Sequence, residues 1–139
     1  GPTGSGQIAK LCNQLIVGGT VAIVAEAMLL AQAGGADPVA MRQAIRGGFA
    51  ESRILELHGQ RMLDRDFKPG GQIKSQAKDH ANILAAAESV GLQIPLTEMV
   101  ARLFNGLLEN YATADQAAIL LAIEKLNQGI RLGTSENKF

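Results

Sequence analysis

Three polar side chains near the beginning of the sequence have the spacing of a small-molecule site. Asn13 and Gln14 follow Lys10 by three and four residues, which places all three on one face of a helix. The sequence then becomes apolar, so this face would lie at the rim of a core, where a partly desolvated lysine suits proton transfer. The same spacing also fits a lysine whose stem packs on the core while its ammonium stays in water.

A second group of polar side chains lies in the middle of the chain. Lys74, Lys78 and Asn82 are four residues apart and would form a row on one helical face, with Asp79 beside it. Two lysines in one row repel each other, and a bound anion would relieve that repulsion. The alternative interpretation is the ordinary charged face of an amphipathic helix.

The opening residues 4–9, GSGQIA, have the form G-x-G-x-x-A, which is the pattern of a dinucleotide-binding fingerprint. That fingerprint works only where a strand precedes it and a βαβ unit surrounds it. Three residues that include Gly and Pro cannot supply the strand, and no second strand follows at the required spacing. We therefore interpret the glycines as a turn into a long helix rather than as a nucleotide site.

Apolar residues recur with helical spacing along the whole chain of 139 residues, and no stretch alternates with period two for long enough to predict a strand. The sequence therefore predicts an all-α fold, with one domain over residues 1–130 and a polar tail over 131–139. The last seven residues, GTSENKF, are expected to fray. The predicted helices span about 7–33, 38–47, 52–63, 72–90, 95–111 and 114–127, with a loop over 64–71.

The first predicted helix is unusually apolar. Between residues 15 and 31 its only charged residue is Glu26, yet the run is shorter than the ~20 residues needed to span a membrane. We expect a fully wrapped core helix, with Cys12 also facing the core. Gly18 and Gly19 each cost about 1 kcal/mol in a helix relative to Ala, so close approach of a neighbouring helix or partner is expected there.

Composition excludes several classes of function. The 13 basic and 13 acidic residues cancel, and there is no basic run and no Trp, so nucleic-acid binding is not expected. Cys12 is the only cysteine, which excludes an internal disulfide and fits a reducing, cytoplasmic location. His58 and His80 have no partners at metal-ligand spacing, so we expect no metal site. No charged segment followed by an apolar one opens the chain, so no signal peptide is predicted.

Several separated motifs resemble the C-terminal domain of the β-hydroxyacid dehydrogenases, a family that includes 3-hydroxyisobutyrate and 6-phosphogluconate dehydrogenases. Gly4-x-Gly6-x-x-x-Lys10 followed by Asn13-Gln14 resembles the helix that opens that domain. Residues 47–62, GGFAESRILELHGQRM, are most similar to the tartronate semialdehyde reductases within the family. Residues 67–70, FKPG, followed by Lys78-Asp79, resemble a second motif of the domain. The similarity extends from residue 4 to about residue 127.

The resemblance implies a fold, a reaction and a set of roles. The fold would be the helical C-terminal domain of 6-phosphogluconate dehydrogenase, preceded in the family by a Rossmann domain that this chain lacks. Lys10 would be the catalytic residue, Asn13 and Gln14 would hold the substrate, Lys78 would reach the cofactor and Asp79 would shape the substrate pocket. The cofactor would be NAD or NADP, bound mainly by the absent domain, so this chain alone is expected to be inactive.

The partners implied are a small hydroxyacid or semialdehyde substrate and a second copy of the chain, in a homodimer or homotetramer. One departure concerns Gly71, because family members often have Phe at this place, and an aromatic wall of the site would then be missing. Two alternatives stay open, namely a non-catalytic helical oligomerisation module and a non-enzymatic homologue. The presence of Lys10 argues against the second alternative.

Overall fold

The structure, a computed structural model that describes all residues 1–139, is built from helices. It contains no strand, only two isolated β-bridges that join Asp66 to Lys138 and Gln72 to Asp115. The all-α prediction is therefore confirmed. The helices are α1 (Ser5–Ala33), α2 (Pro38–Ala44), α3 (Arg53–Asp64), α4 (Ile73–Ser89), α5 (Pro95–Asn105), α6 (Leu108–Tyr111), a 3-10 turn (Gln116–Ala118) and α7 (Ile119–Leu126).

Local sequence signals account for several helix starts. The Asp37 carboxylate accepts a hydrogen bond from the Val39 amide at 2.9 Å, and Pro38 opens α2. The Ser52 hydroxyl caps α3 by accepting from the Leu55 amide at 2.9 Å. These caps fix where the chain turns, and so they fix how α2 and α3 approach the core.

Two predicted helices are interrupted. The segment expected to run to Tyr111 ends at Asn105, and a separate short helix begins at Leu108. The last helix begins later than predicted and is preceded by the 3-10 turn. The Asp115 side chain accepts from the Ala117 amide at 2.9 Å, which favours this tight turn over a continuous α-helix.

The core forms around the second half of α1, which packs against α2, α3, α4, α5 and α7. Apolar side chains from these helices meet in one cluster, as expected for a single domain. Side chains that are fully enclosed in it include Val21, Ala25, Met28, Met62, Phe67, Ile73, Phe104, Ile119 and Leu120.

The expectation that α1 is fully wrapped is wrong. No residue of α1 before Gly18 is buried, and Cys12 is exposed rather than part of the core. Ile16, Ile23 and Leu30 follow one another at seven-residue intervals and are 64%, 64% and 74% exposed. By length and composition alone α1 could cross a membrane, but 44% of its most apolar window is buried in the core.

The expected fraying of the C-terminal segment is also wrong. Leu132 is only 1% exposed and belongs to the core cluster. The Lys138 amide donates to the Arg65 carbonyl at 2.9 Å, and the Phe139 ring stacks on Tyr111 at 5.4 Å. The end of the chain therefore closes over the bend between α3 and α4.

Candidate functional site

Gln14 and Asp79 join α1 to α4 at the predicted site. The Gln14 Nε2 group donates to Asp79 Oδ2 at 2.8 Å, and the Asn13 Nδ2 group donates to Gln14 Oε1 at 3.0 Å. Gln14 and Asp79 are partly buried, whereas Asn13 is exposed. The structure thus brings together the three side chains to which the family resemblance gave a role at the substrate site. The contact fixes the Gln14 amide and leaves Asn13 open to solvent.

The two helices approach closely one turn further along α1. A Cβ added at Gly18 would overlap His80 Cε1, so the histidine ring occupies the volume of the missing side chain. Gly19, in contrast, has nothing within 4 Å of the same added atom. The expected close approach of a neighbouring helix is therefore found at Gly18, and the neighbour is α4.

Lys10 lies on α1 one turn before Gln14 and is exposed. The expectation that the core of this chain partly desolvates it is wrong, because the first turns of α1 extend beyond the core. No carboxylate pairs with Lys10. Its ammonium is free to contact a ligand, and desolvation would have to come from a surface outside this chain.

Lys74 and Lys78 lie on α4 and are exposed, as is Asn82 in the same row. Neither lysine forms an ion pair. Two ammonium groups one turn apart, with no carboxylate to neutralise them, repel each other, and a bound anion would relieve that repulsion.

A buried row of polar side chains, which the sequence reasoning missed, crosses the middle of the domain. The Gln76 amide donates to Gln116 Oε1, and the Gln116 amide donates to His58 Nε2 at 3.0 Å. That contact places the neutral ring's proton on Nδ1, which lies 3.3 Å from Asp115 Oδ1. Arg61 completes the row, with its guanidinium 3.6 Å from Asp115 Oδ2. A hint was present in the sequence, because Asp115 stands at the position that caps the following turn.

Asp115 is the charged centre of this row and is 1% exposed. Burial alone would raise the pKa of its carboxyl group. Hydrogen bonds from His58 and from the Ala117 amide, together with the charge of Arg61, outweigh burial and lower that pKa below its ordinary value. Asp115 therefore stays ionised and holds α3 against the 3-10 turn.

The loop that leads into α4 lies directly on this row, and its two glycines make that possible. A Cβ at Gly70 would lie 2.6 Å from Asp115 Oδ2, and one at Gly71 would lie 3.1 Å from Gln116 Nε2. The backbone N–H of Gln116 also donates to the Gly71 carbonyl at 2.6 Å. A larger residue at position 71 would press on Gln116, which gives a physical reason for glycine where the family often has Phe.

Two apolar grooves flank α1, and neither contains the polar site. One lies between α1 and α5, has a volume of about 340 Å³ and is lined by residues such as Ile23 and Leu96. The other, of about 360 Å³, lies between the first turns of α1 and the end of α4 and includes Cys12. Neither groove is lined by a residue of the predicted site, so the site is an open surface in this chain. The residues of that site are Lys10, Asn13, Gln14, Lys78 and Asp79.

Comparison with known proteins identifies relatives along nearly the whole chain. Residues 4–123 match the family model for the "NAD-binding of NADP-dependent 3-hydroxyisobutyrate dehydrogenase". The chain is 44% identical over 125 residues to 2-hydroxy-3-oxopropionate reductase from Escherichia coli (strain K12), covering 89% of this chain and 43% of that protein. It is 34% identical over 129 residues to probable 3-hydroxyisobutyrate dehydrogenase-like 1, mitochondrial, from Arabidopsis thaliana, covering 91% and 38%.

A solved structure shares the architecture. The crystal structure of 3-hydroxyisobutyrate dehydrogenase from Salmonella typhimurium superposes with a TM-score of 0.80 and 25% identity, covering 85% of this chain and 42% of that one. The chain thus spans less than half the length of the relatives it matches.

Proposed function

This chain belongs to the 3-hydroxyisobutyrate dehydrogenase family, and we propose that it is the catalytic and substrate-binding part of a longer oxidoreductase. The observation that supports the proposal most directly is the Gln14–Asp79 hydrogen bond, which fixes a polar cluster one turn from the unpaired Lys10. On this proposal, a preceding Rossmann domain binds most of the NAD or NADP, and the 139-residue chain alone is inactive.

The proposed substrate is a small 3-hydroxy acid or the corresponding semialdehyde. The 44% identity to 2-hydroxy-3-oxopropionate reductase, which is tartronate semialdehyde reductase, supports this class of compound. Such a molecule offers a carboxylate and one or two oxygens to the protein. The exposed amide of Asn13 and the fixed amide of Gln14 are suitable donors for these oxygens, and they would orient the substrate beside Lys10.

In the proposed mechanism, Lys10 is the general acid in reduction and the general base in oxidation. The nicotinamide, when bound, supplies the hydride for reduction and accepts it in oxidation. As a carbonyl carbon is reduced, negative charge develops on its oxygen, and the Lys10 ammonium donates a hydrogen bond and then the proton to that oxygen. In the oxidising direction the neutral amine takes the hydroxyl proton. Asp79 keeps Gln14 in place, and Lys78 would help to hold the cofactor, because an ammonium group suits anionic phosphate oxygens.

The test is a steady-state assay of the longer protein that contains this chain, with 2-hydroxy-3-oxopropionate and either NADH or NADPH. Lys10→Ala should lower kcat by about 100-fold, the usual scale for loss of a general acid. Lys10→Arg should fail as well, because a guanidinium does not release its proton. Both variants should melt like the parent protein, because Lys10 is exposed.

Lys125→Ala is the matched control, since Lys125 is an exposed lysine on α7, away from the cluster on α1 and α4. Near-normal turnover by Lys10→Ala, at normal melting temperature, would remove the catalytic role and leave Lys10 as a solvated surface lysine.

A second role is association of the domain with a copy of itself. The heptad-spaced exposed side chains Ile16, Ile23 and Leu30 support it, because such a row of large apolar groups on one helix is typical of a helix–helix interface. We propose that the protein forms a homodimer or homotetramer through this face and that it acts in the cytoplasm. The two roles are compatible, because the polar site lies nearer the beginning of α1.

A further inference from the structure

The contact between His80 and Gly18 is the tightest approach of α4 to α1. His80 is 0% exposed. A Cβ at Gly18 would overlap its Cε1 atom and would lie 2.6 Å from its Nε2 atom, a distance that real side chains do not reach. The ring therefore rests directly on the backbone of α1, and any residue larger than glycine at position 18 requires the ring or the helix to move.

The His80 ring has little freedom to move. Its Nδ1 atom lies 2.9 Å from the Gln76 carbonyl, and since a carbonyl only accepts, Nδ1 carries the proton. Its other side packs against Phe104, with the ring centres 5.3 Å apart. Burial lowers the pKa of His80, although the Gln76 carbonyl and the charge of Asp79 oppose that change. The neutral ring is thus clamped between α1 and α5.

The Gln14–Asp79 hydrogen bond is the next contact between α1 and α4, beside the one between Gly18 and His80. Asp79 immediately precedes His80 on α4, and Gln14 lies four residues, about one turn, before Gly18 on α1. The 2.8 Å hydrogen bond from Gln14 to Asp79 tolerates little change in the separation of the helices. The distance at Gly18 and His80 therefore determines whether the Gln14 amide reaches Asp79.

We propose that Gly18 and His80 are positioning residues of the substrate site, which set the spacing of α1 and α4 so that Asp79 holds the Gln14 amide toward the substrate. The proposal rests on the proposed function for the substrate itself. The geometry that it asserts, however, is independent of any activity. Gly19 provides the internal control, because it is the adjacent glycine of α1 and an added Cβ there has nothing within 4 Å.

The experiment compares Gly18→Ala, Gly19→Ala and the double variant Gly18→Ala/His80→Ala in the longer protein, by crystallography and by steady-state kinetics. Gly18→Ala should separate Gln14 from Asp79 beyond hydrogen-bond distance and lower kcat/KM by about 100-fold, the scale of a 1 Å misplacement. Gly19→Ala should change neither quantity by more than about twofold. Removing the ring in the double variant makes room for the methyl group and should restore kcat/KM to within about tenfold of the parent.

The outcomes separate the two proposals. If the protein shows no dehydrogenase activity, the proposed function fails, and the Gln14–Asp79 distance in the Gly18→Ala crystal still decides the positioning proposal. An intact hydrogen bond in that crystal, or equal losses in the Gly18 and Gly19 variants, would overturn it. If Gly18→Ala does not fold, the single variant His80→Ala tests the positioning proposal instead. This variant should raise KM for the substrate more than it lowers kcat. An unchanged KM in that variant counts against the proposal.

Discussion

Arg65 and Glu124 form a buried ion pair through two hydrogen bonds beneath the C-terminal segment. The guanidinium of Arg65, which is 1% exposed, donates to the two carboxylate oxygens of Glu124 at 2.7 and 2.9 Å. The remaining Arg65 Nε group donates to Asn137 Oδ1 at 2.6 Å, and Glu124 also accepts from the Leu132 amide at 2.8 Å. The pair thereby fastens the end of the chain to α7 and to the end of α3.

Arg65→Ala should lower the free energy of unfolding by about 3–5 kcal/mol, because it leaves the partly buried Glu124 carboxylate without its partner. Urea unfolding followed by circular dichroism measures the change. Arg53→Ala is the control, since Arg53 is exposed and forms no ion pair, and it should change stability by no more than about 0.5 kcal/mol. Equal effects of the two substitutions would contradict a structural role for the pair.

Asp115 should make the free energy of unfolding fall as the pH becomes acidic. Its pKa in the folded chain lies below the ordinary value of 3.8, so the unfolded chain takes up the proton more readily than the native state does. Its contribution to the free energy of unfolding is therefore complete above pH 3.8 and is lost as pH falls through the lower, folded-state pKa.

Asp115→Asn should cost about 1–3 kcal/mol at pH 7, and the difference from the parent should shrink below the ordinary carboxyl pKa of 3.8. Urea unfolding at a series of pH values tests this. Asp64→Asn, the same change at an exposed carboxylate, is the control at pH 7 and should change stability by no more than about 0.5 kcal/mol. A difference between Asp115→Asn and the parent that stays constant down to the lowest pH would show that ionisation of Asp115 does not matter.

Lys78→Ala in the longer protein should raise KM for the nicotinamide cofactor by about tenfold, which is the scale of one charge-assisted hydrogen bond. KM for the hydroxyacid should change little. The effect should weaken with added salt, because Lys78 is exposed. Steady-state kinetics with each reactant varied in turn makes the distinction, and equal changes in both KM values would argue against a cofactor contact.

Ile23→Glu should weaken self-association, because it places a charge in the middle of the apolar row on α1. The parent chain should be a dimer or larger at micromolar concentration in light scattering, and the variant should dissociate on dilution. Val39→Glu is the matched control, since Val39 is 44% exposed on α2, outside that row. A parent chain that is monomeric at every concentration would show that this face does not associate.

The sequence predicted those features that depend on neighbouring residues. Asp37 and Pro38 start α2 as expected, because a cap and a fixed φ angle act within one turn. The same applies to Lys10, Asn13 and Gln14, whose common face follows from helical spacing alone. Their exposure could not be predicted in this way, because it depends on where the core ends along α1.

Contacts between distant parts of the chain were not predictable from periodicity. Gln14 and Asp79 are 65 residues apart, and Arg65 and Glu124 are 59 residues apart. Nothing in either local pattern indicates the partner. Leu132 was missed for a related reason, since Ile130 and Leu132 are two apolar residues in a polar segment and are too few to show a period.

The partly exposed start of α1 has a consequence for how tightly the site is ordered. Residues 5–17 precede the first buried residue of the helix, and at 1.5 Å per residue they extend about 20 Å. Backbone amides there should exchange with deuterium far faster than those around Val21, because only the latter segment is protected by global folding. A surface that docks on residues 5–17 therefore stabilises their helical form against local unfolding. The affinity for that surface and the order of the amides around Lys10 are then thermodynamically linked.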